Sequence, residues 1–285
     1  MSINTATNSL RWGIPLNNAP RIRYSLQTSD LPLMKKVYFL SDAHLGLGID
    51  SPQRERDLVA FLDSIAQDVD TLVLLGDMFD FWFTYKHVVP RGFSRFIGHL
   101  AQLSDMGVTI HYFIGNHDMW VFDYFQKEIG AIMHDEPAVL ELGGHRMLLG
   151  HGDGLEGNDP HYNFLKRVFR CRFNQRLFAL LHPWIGFSIA NRWSVGSRKK
   201  HPISEQDYRG DAHEGIYQYA LLRLQQEPFD YALFGHRHGC VLRPLHCDQP
   251  SRDAFYLNIG NWIERRDYAV LDATGLHAAQ FQKTS

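Results

Sequence analysis

Short runs of β-branched, aromatic and aliphatic residues recur along the first half of the chain, each bounded by turn residues and followed by a stretch with helical spacing. VYFL, TLVLL, VTIHYFI and RMLL predict strands over 36–41, 70–75, 108–114 and 145–149, and the patterns between them predict helices over 53–66, 91–106 and 119–129. The alternation then breaks. A mostly helical stretch is predicted over about 160–193 and a further helix near 204–226, and strands return at 230–234, 254–259 and 267–271. Alternating βα units followed by a β-rich end predict an α/β fold of two packed sheets with helices outside.

The helical stretch after residue 160 carries its own charge signature. From His161 to Ser204 there are nine Lys or Arg and no Asp or Glu. Phe164, Leu165, Val168, Phe169, Phe173, Leu177, Phe178, Leu180 and Leu181 form an apolar stripe at helical spacing, with Lys166, Arg167, Arg170 and Arg176 largely off it. Trp184, Phe187, Ile189 and Trp193 extend the apolar character past His182-Pro183. Two readings stay open: a face that packs on the core, or a lid over residues 155–203 whose charge suits an anionic substrate or membrane surface.

Composition narrows the class without naming it. With 285 residues, 45% hydrophobic and 21% charged, the chain can bury a full core, and the net charge of -2 gives no global pull toward nucleic acid or membrane. Cys171, Cys240 and Cys247 are odd in number and form no CxxC pair, which argues against a disulfide framework and for a reducing, cytoplasmic setting. No window approaches the roughly 20 apolar residues of a membrane span, and the N-terminus lacks a signal-peptide pattern. Residues 1–33 are polar and aperiodic and are expected to be a flexible extension, with Met34 a candidate start of the domain at 34–285.

Chemistry gathers just past the strands. DAH (Asp42–His44), GDMFD (Gly76–Asp80), GNHD (Gly115–Asp118), GHGD (Gly150–Asp153) and GHRH (Gly235–His238) each follow an apolar run, where an open α/β sheet presents its ligand-binding edge. In extended backbone Asp42 and His44 leave on one face and can share a metal, and His236 and His238 repeat that spacing. Asp77, after a glycine that permits close approach, is expected to bridge two cations roughly 3.5 to 4 Å apart. Asn116 and His151 complete a mixed N/O set that suits Mn, Fe, Zn or Co better than Ca, with Mn the first choice.

Two carboxylates against two divalent cations leave the site formally about two units positive, matching a phosphate ester, and metal coordination lowers the pKa of water toward about 7. His117 points away from Asn116 in an extended segment and is expected to act on the substrate as general acid or charge stabiliser. Asp80 and Asp118 are candidates either to orient neighbouring histidines or to cap helices, and Asp153 has the same two readings.

These motifs, in this order over residues 36–262, resemble the calcineurin-like metallophosphoesterase superfamily. The resemblance implies an αββα two-sheet sandwich, with Asp42, His44, Asp77 and His238 at one metal and Asp77, Asn116, His151 and His236 at the other. LSDAHLG, LLGDMFDFW, GHGDGLEGNDPHYNFLKRVFR and FNQRLF look more narrowly like the UDP-2,3-diacylglucosamine pyrophosphohydrolases of lipid A synthesis. That likeness implies a helical lid holding acyl chains, an acylated UDP-sugar substrate cleaved to UMP and 2,3-diacylglucosamine 1-phosphate, and a peripheral place on the cytoplasmic face of the inner membrane. No obligate protein partner is implied. One position departs: well-known members read GNRD where this chain has His117 in GNHD.

A same-fold alternative is a phosphoesterase acting on another nucleotide, a phosphoprotein or nucleic acid. The seven Phe or Trp residues between 164 and 193 suit an acyl chain, although aromatic side chains also stack on bases. A catalytically silent scaffold is disfavoured, because every expected ligand and His117 are present.

Overall fold

A computed structural model of the chain describes residues 35–155, 160–200, 210–246 and 254–282. The expectations for residues 1–33 and Met34, for Cys247 and for the side chain of Trp193 lie outside the described residues. Two sheets carry the fold. One has six strands in the order β11-β10-β1-β2-β3-β4: β1 is Lys36–Leu40, β2 Val69–Leu74, β3 Thr109–Phe113, β4 Ile132–His134, β10 Asp267–Asp272 and β11 Gly275–Gln280. The other has five in the order β5-β6-β7-β9-β8: β5 is Ala138–Leu142, β6 His145–Gly150, β7 Tyr231–Phe234, β8 Val241–Leu245 and β9 Ala254–Asn258. Strands β1, β2 and β3 run parallel, as do β6, β7 and β9, so each sheet presents several strand C-termini at one edge.

Side-chain alternation sorts the apolar residues into layers. Val37 and Phe39 of β1, Val73 of β2 and Phe113 of β3 face Met147 and Leu149 of β6, Leu233 of β7 and Leu257 of β9, forming the core between the sheets. The alternate residues Tyr38, Leu40, Leu72, Leu74, Ile110 and Tyr112 pack outward against helices α1 (Ser51–Ile65), α2 (Ser94–Asp105) and α3 (Tyr124–Ile129). On the far side Leu148, Ala232, Phe234 and Tyr256 pack against α7 (Gly215–Gln226). Both faces of both sheets are therefore covered, and the αββα sandwich is present.

Element boundaries differ from the sequence reading in informative places. Helix α3 begins at Tyr124 rather than 119, because Asp118 to Val121 form a turn and Phe122 has φ +44°. Helix α7 begins at Gly215 rather than 204 among the described residues, since Gly210 has φ +90° and a turn precedes the helix. Strands β4, β5, β8 and β11 were not expected. The β5–β6 hairpin turns through Gly143 and Gly144, both at positive φ, the Gly-Gly signal of a tight hairpin. The basic stretch forms helices α4 (Pro160–Arg170), α5 (Arg172–Ala179) and α6 (Pro183–Lys200). No helix among the described residues is long and apolar enough to cross a membrane.

One buried polar contact gives the fold an acid sensitivity. His111 Nδ1 lies 3.0 Å from His134 Nε2 between paired strands β3 and β4, and burial, then His134, lower the His111 pKa to about 4. An unfolded histidine protonates near about 6.5. The unfolded chain therefore binds the extra proton first, and this stability, present above pH 6.5, is lost as pH falls to about 4, by up to about 3 kcal/mol. His111→Asn is expected to remove most of that loss, read as a smaller difference in urea unfolding free energy between pH 7 and pH 4.5.

Candidate metal centre

All seven candidate ligands lie past the C-terminal ends of β1, β2, β3, β6 and β7, so the parallel topology alone gathers them at one edge. The backbone that presents them is not extended. Asp42, His44, Asp77 and His236 all have left-handed φ, at 52°, 42°, 52° and 66°. Such residues cost of order 1 kcal/mol each and persist where the surroundings over-determine them. Here Asp42 N–H donates to Gly76 O at 3.1 Å, His44 N–H to Asp77 O at 2.9 Å and His236 N–H to Asp42 Oδ2 at 2.9 Å.

This geometry changes how the side chains group. Asp42, His44 and His238 converge in one set, and Asp77, His151 and His236 in another, each with donor atoms within 4.8 Å of one another. His236 and His238 share the spacing of Asp42 and His44, which in extended backbone would put both rings on one face, but the left-handed turn at His236 sends them to different sets, as the family resemblance implies. Asp42 and His44 do share a set, but through two left-handed residues rather than a pleat.

Asp77 spans both sets. Its Oδ2 is 3.7 Å from His44 Nε2 and 3.2 Å from His151 Nε2, while Oδ1 accepts the His117 N–H at 2.8 Å. His151 Nδ1–H donates to the Leu75 carbonyl at 2.8 Å, which aims Nε2 at Asp77 and at Asn116 Oδ1, 3.3 Å away. Asp42 Oδ2 accepts Ser41 Oγ–H at 2.5 Å, leaving Oδ1 between His238 Nε2 at 3.4 Å and His44 Nε2 at 3.7 Å.

The donor set fits divalent cations. Asp42 Oδ1 and His44 Nε2 face each other at 3.7 Å, buried and without a hydrogen-bond partner, a costly arrangement unless another species completes it. Ligands at about 2.1 Å from a shared tetrahedral ion sit roughly 3.4 Å apart, inside the observed range of 3.2 to 3.7 Å. Burial works against charge on His44, yet Asp42 and Asp80 lift its pKa to about 9, and the charge of Asp77 likewise outweighs burial to raise His151. Burial, then the charge of His151, lowers His236 to about 4. A bound cation would compete with protons at His44 and His151.

The neighbouring aspartates divide their work. Asp80 Oδ1 lies 3.4 Å from His44 Nδ1 and 3.6 Å from His117 Nδ1, and its carbonyl is 3.0 Å from His117 Nδ1, so it orients histidines. Asp118 does neither of the things expected of it. Its oxygens accept the N–H groups of Gly115 and Met78 at 2.8 and 2.9 Å and the Tyr112 hydroxyl at 2.6 Å, clamping two motif loops together. Asp153 ties the loop of His151 to α4: Lys166 Nζ and the Tyr162 hydroxyl both lie 2.7 Å from its Oδ2. Arg170, two turns along from Tyr162, pairs with Glu136. Of the basic residues off the apolar stripe, Lys166 is therefore engaged with a buried aspartate and Arg170 with an exposed glutamate.

Close packing in the motifs is itself a test. A Cβ on Gly115 would overlap Asp77 Oδ1 and stand 2.5 Å from the Asp77 backbone nitrogen, which cannot yield. Gly115→Ala is expected to destabilise the fold by about 2 kcal/mol and to abolish metal retention, measured by thermal unfolding and by metal content after dialysis. Several supporting groups had no visible signal: the Leu75 carbonyl, Ser41, Asn261, whose amide donates to His238 O at 2.9 Å, and the buried Glu214–Arg237 pair. Of these, Arg237 alone has a signal that could have found it, a charge inside H-x-H.

Comparison with known proteins agrees with this geometry. A UDP-2,3-diacylglucosamine hydrolase of Porphyromonas gingivalis is 40% identical over 260 residues, spanning 86% of this chain and 97% of its own. One of Pseudomonas entomophila is 37% identical over 256 residues, spanning 86% and 99%, and one of Nitrosococcus oceani is 28% identical over 250 residues, spanning 85% and 93%. The family pattern described as calcineurin-like phosphoesterase matches residues 35–240, which takes in all five motifs. With two sheets delivering a convergent Asp, His and Asn set suited to divalent metals, the chain belongs to the calcineurin-like phosphoesterase family.

Proposed function

We propose that this chain hydrolyses the diphosphate of UDP-2,3-diacylglucosamine, giving UMP and 2,3-diacylglucosamine 1-phosphate. The observation that carries this is the near full-length similarity to hydrolases named for that substrate, combined with a complete ligand set. Asp42, His44, Asp77 and His238 would hold one cation and Asp77, Asn116, His151 and His236 the other, with Mn the first choice for a mixed N/O site. When bound, the pair supplies Lewis acidity at the phosphoryl oxygens and lowers the pKa of an attacking water.

The chain's own residues do the rest. Asp77 holds the two ligand sets at a fixed separation through one oxygen, and its other oxygen fixes the His117 backbone. With Nδ1 held by Asp80, His117 presents Nε2 to the phosphate or leaving oxygen. Its side chain is 24% exposed, against 3% for His44, which places it at the mouth of the site.

Helices α4, α5 and α6 are assigned as the lid. Phe169, Phe178 and Phe187 pack on Phe81, Phe83 and Trp120, and the Trp120 indole N–H donates to Phe169 O at 2.9 Å. Phe164, Phe173, Leu180 and Trp184 are left 66 to 83% exposed, an apolar surface available to acyl chains and to the cytoplasmic face of the inner membrane. The deciding assay is Mn-supplemented hydrolysis of UDP-2,3-diacylglucosamine beside UDP-N-acetylglucosamine and a chromogenic phosphodiester, with products identified by mass spectrometry. UMP from the acylated substrate alone is expected. Turnover of the small diesters alone would move the activity to another nucleotide or nucleic-acid phosphoester.

A further inference from the structure

We propose that Glu214 and Arg237 are positioning residues that hold His236 and His238 at separate metals, an inference that rests on reading those histidines as ligands. Arg237 stands between them in sequence, is 6% exposed, and donates from Nε to Glu214 Oε1 at 3.1 Å. Glu214 is fully buried where the turn from Gly210 meets α7, and its second oxygen accepts no hydrogen bond. Neither side chain is a member of the ligand sets.

A buried ion pair is a poor stabilising device, since desolvating both charges offsets most of their attraction and apolar replacements are often as stable. What such a pair does supply is a fixed direction and distance. H-x-H in extended backbone would send both rings to one face. Here His236 is left-handed, and its ring joins Asp77 and His151 while that of His238 joins Asp42 and His44. Holding that splay requires the central residue to be anchored.

Asn258 and Asn261 amides bind the carbonyls of Arg237, Gly239 and His238, which fixes the peptide planes on the C-terminal side. The N-terminal side is fixed by His236 N–H on Asp42 Oδ2. The Arg237 side chain is the tie to the layer beneath, through the residue that starts α7. Metal retention at the His236 position therefore depends on a carboxylate outside the five motifs, 23 residues before Arg237.

The test is Mn(II) titration of the metal-stripped full chain, read by electron paramagnetic resonance of free Mn(II), alongside thermal unfolding. Four variants are compared with wild type: Glu214→Gln, Arg237→Lys, the double apolar Glu214→Leu/Arg237→Met, and His236→Ala. Glu214→Gln is expected to weaken one of two Mn(II) equivalents about 10- to 100-fold, as loss of a group supporting a ligand does. Arg237→Lys, still charged and long enough to meet Glu214, is expected to restore most of that affinity. The double variant is expected to regain the melting temperature but not the second equivalent. If it regains both, or if Glu214→Gln binds two Mn(II) as wild type does, the pair is packing only and the proposal falls. If the double variant does not fold, the pair serves the fold itself and the proposal also falls. His236→Ala separates the failures: undiminished Mn(II) binding there overturns the ligand reading, whatever the other variants do.

Discussion

Asp77→Asn will lose nearly all activity together with both metals, a fall of roughly a thousandfold or more in kcat/KM, equivalent to about 4 kcal/mol of transition-state stabilisation. The size follows from position. Asp77 Oδ2 lies within 3.7 Å of His44 Nε2 and 3.2 Å of His151 Nε2, one in each ligand set, so on the proposed assignment one carboxylate would serve both cations. Asparagine keeps an oxygen but loses the charge. It halves the negative charge of a site that has only Asp42 and Asp77 as carboxylate ligands, and places a donor NH2 where either the His117 N–H or the metals need an acceptor. His117→Ala makes the contrast. That ring touches Asp80 and His44 but belongs to neither proposed ligand pair, so turnover should fall about 100-fold with metal content near two equivalents. Metal content by mass spectrometry and steady-state kinetics on the same preparations decide it. Equal metal loss in both variants would sink the division of roles, and two retained metals in Asp77→Asn would remove the bridge.

Much of this was legible because it is local. An apolar run with period 2 followed by Gly and a ligand residue needs no partner to be recognised, and β1, β2, β3, β6 and β7 were placed to within about one residue on that basis. The strands that escaped are those defined by their neighbours. β4 has three residues and exists because it pairs with β3, and β11 closes a hairpin on β10 through the Asp272–Gly275 turn. The ligand residues were readable from type and order, but their grouping followed only from the family resemblance and not from spacing. Left-handed backbone at Asp42, His44, Asp77 and His236 is set by hydrogen bonds between motifs up to 194 residues apart, and no spacing rule carries that information. Asp118 shows the same limit: as a residue type it suits a cap or a histidine partner, yet three donors from other segments make it a clamp.

The lid separates two phenylalanines that look alike in sequence. Phe169 and Phe173 lie on one helical stripe, yet Phe169 meets Trp120 edge-on at 5.6 Å, whereas Phe173 is 66% exposed. Phe178 meets Trp120 at 4.7 Å and Phe83 at 4.9 Å. Phe178→Ala is therefore expected to lower stability by roughly 2 kcal/mol, less than the loss for a fully enclosed phenylalanine, and to reduce activity on every substrate as the lid loosens. Phe173→Ser combined with Trp184→Ser is expected to leave the melting temperature unchanged. It should raise KM for the acylated substrate at least about tenfold, since burying one such side chain against a chain of methylenes contributes about 1.5 to 3 kcal/mol, and should leave turnover of a small phosphodiester intact. Kinetics are run in mixed detergent micelles, so that loss of bilayer contact cannot mimic loss of acyl contact, and vesicle flotation of the same variant reports the bilayer separately. A KM that stays constant in micelles while flotation is lost would assign the exposed face to the membrane alone. A proportional loss on both substrates with a lower melting temperature would return Phe173 and Trp184 to the role of packing.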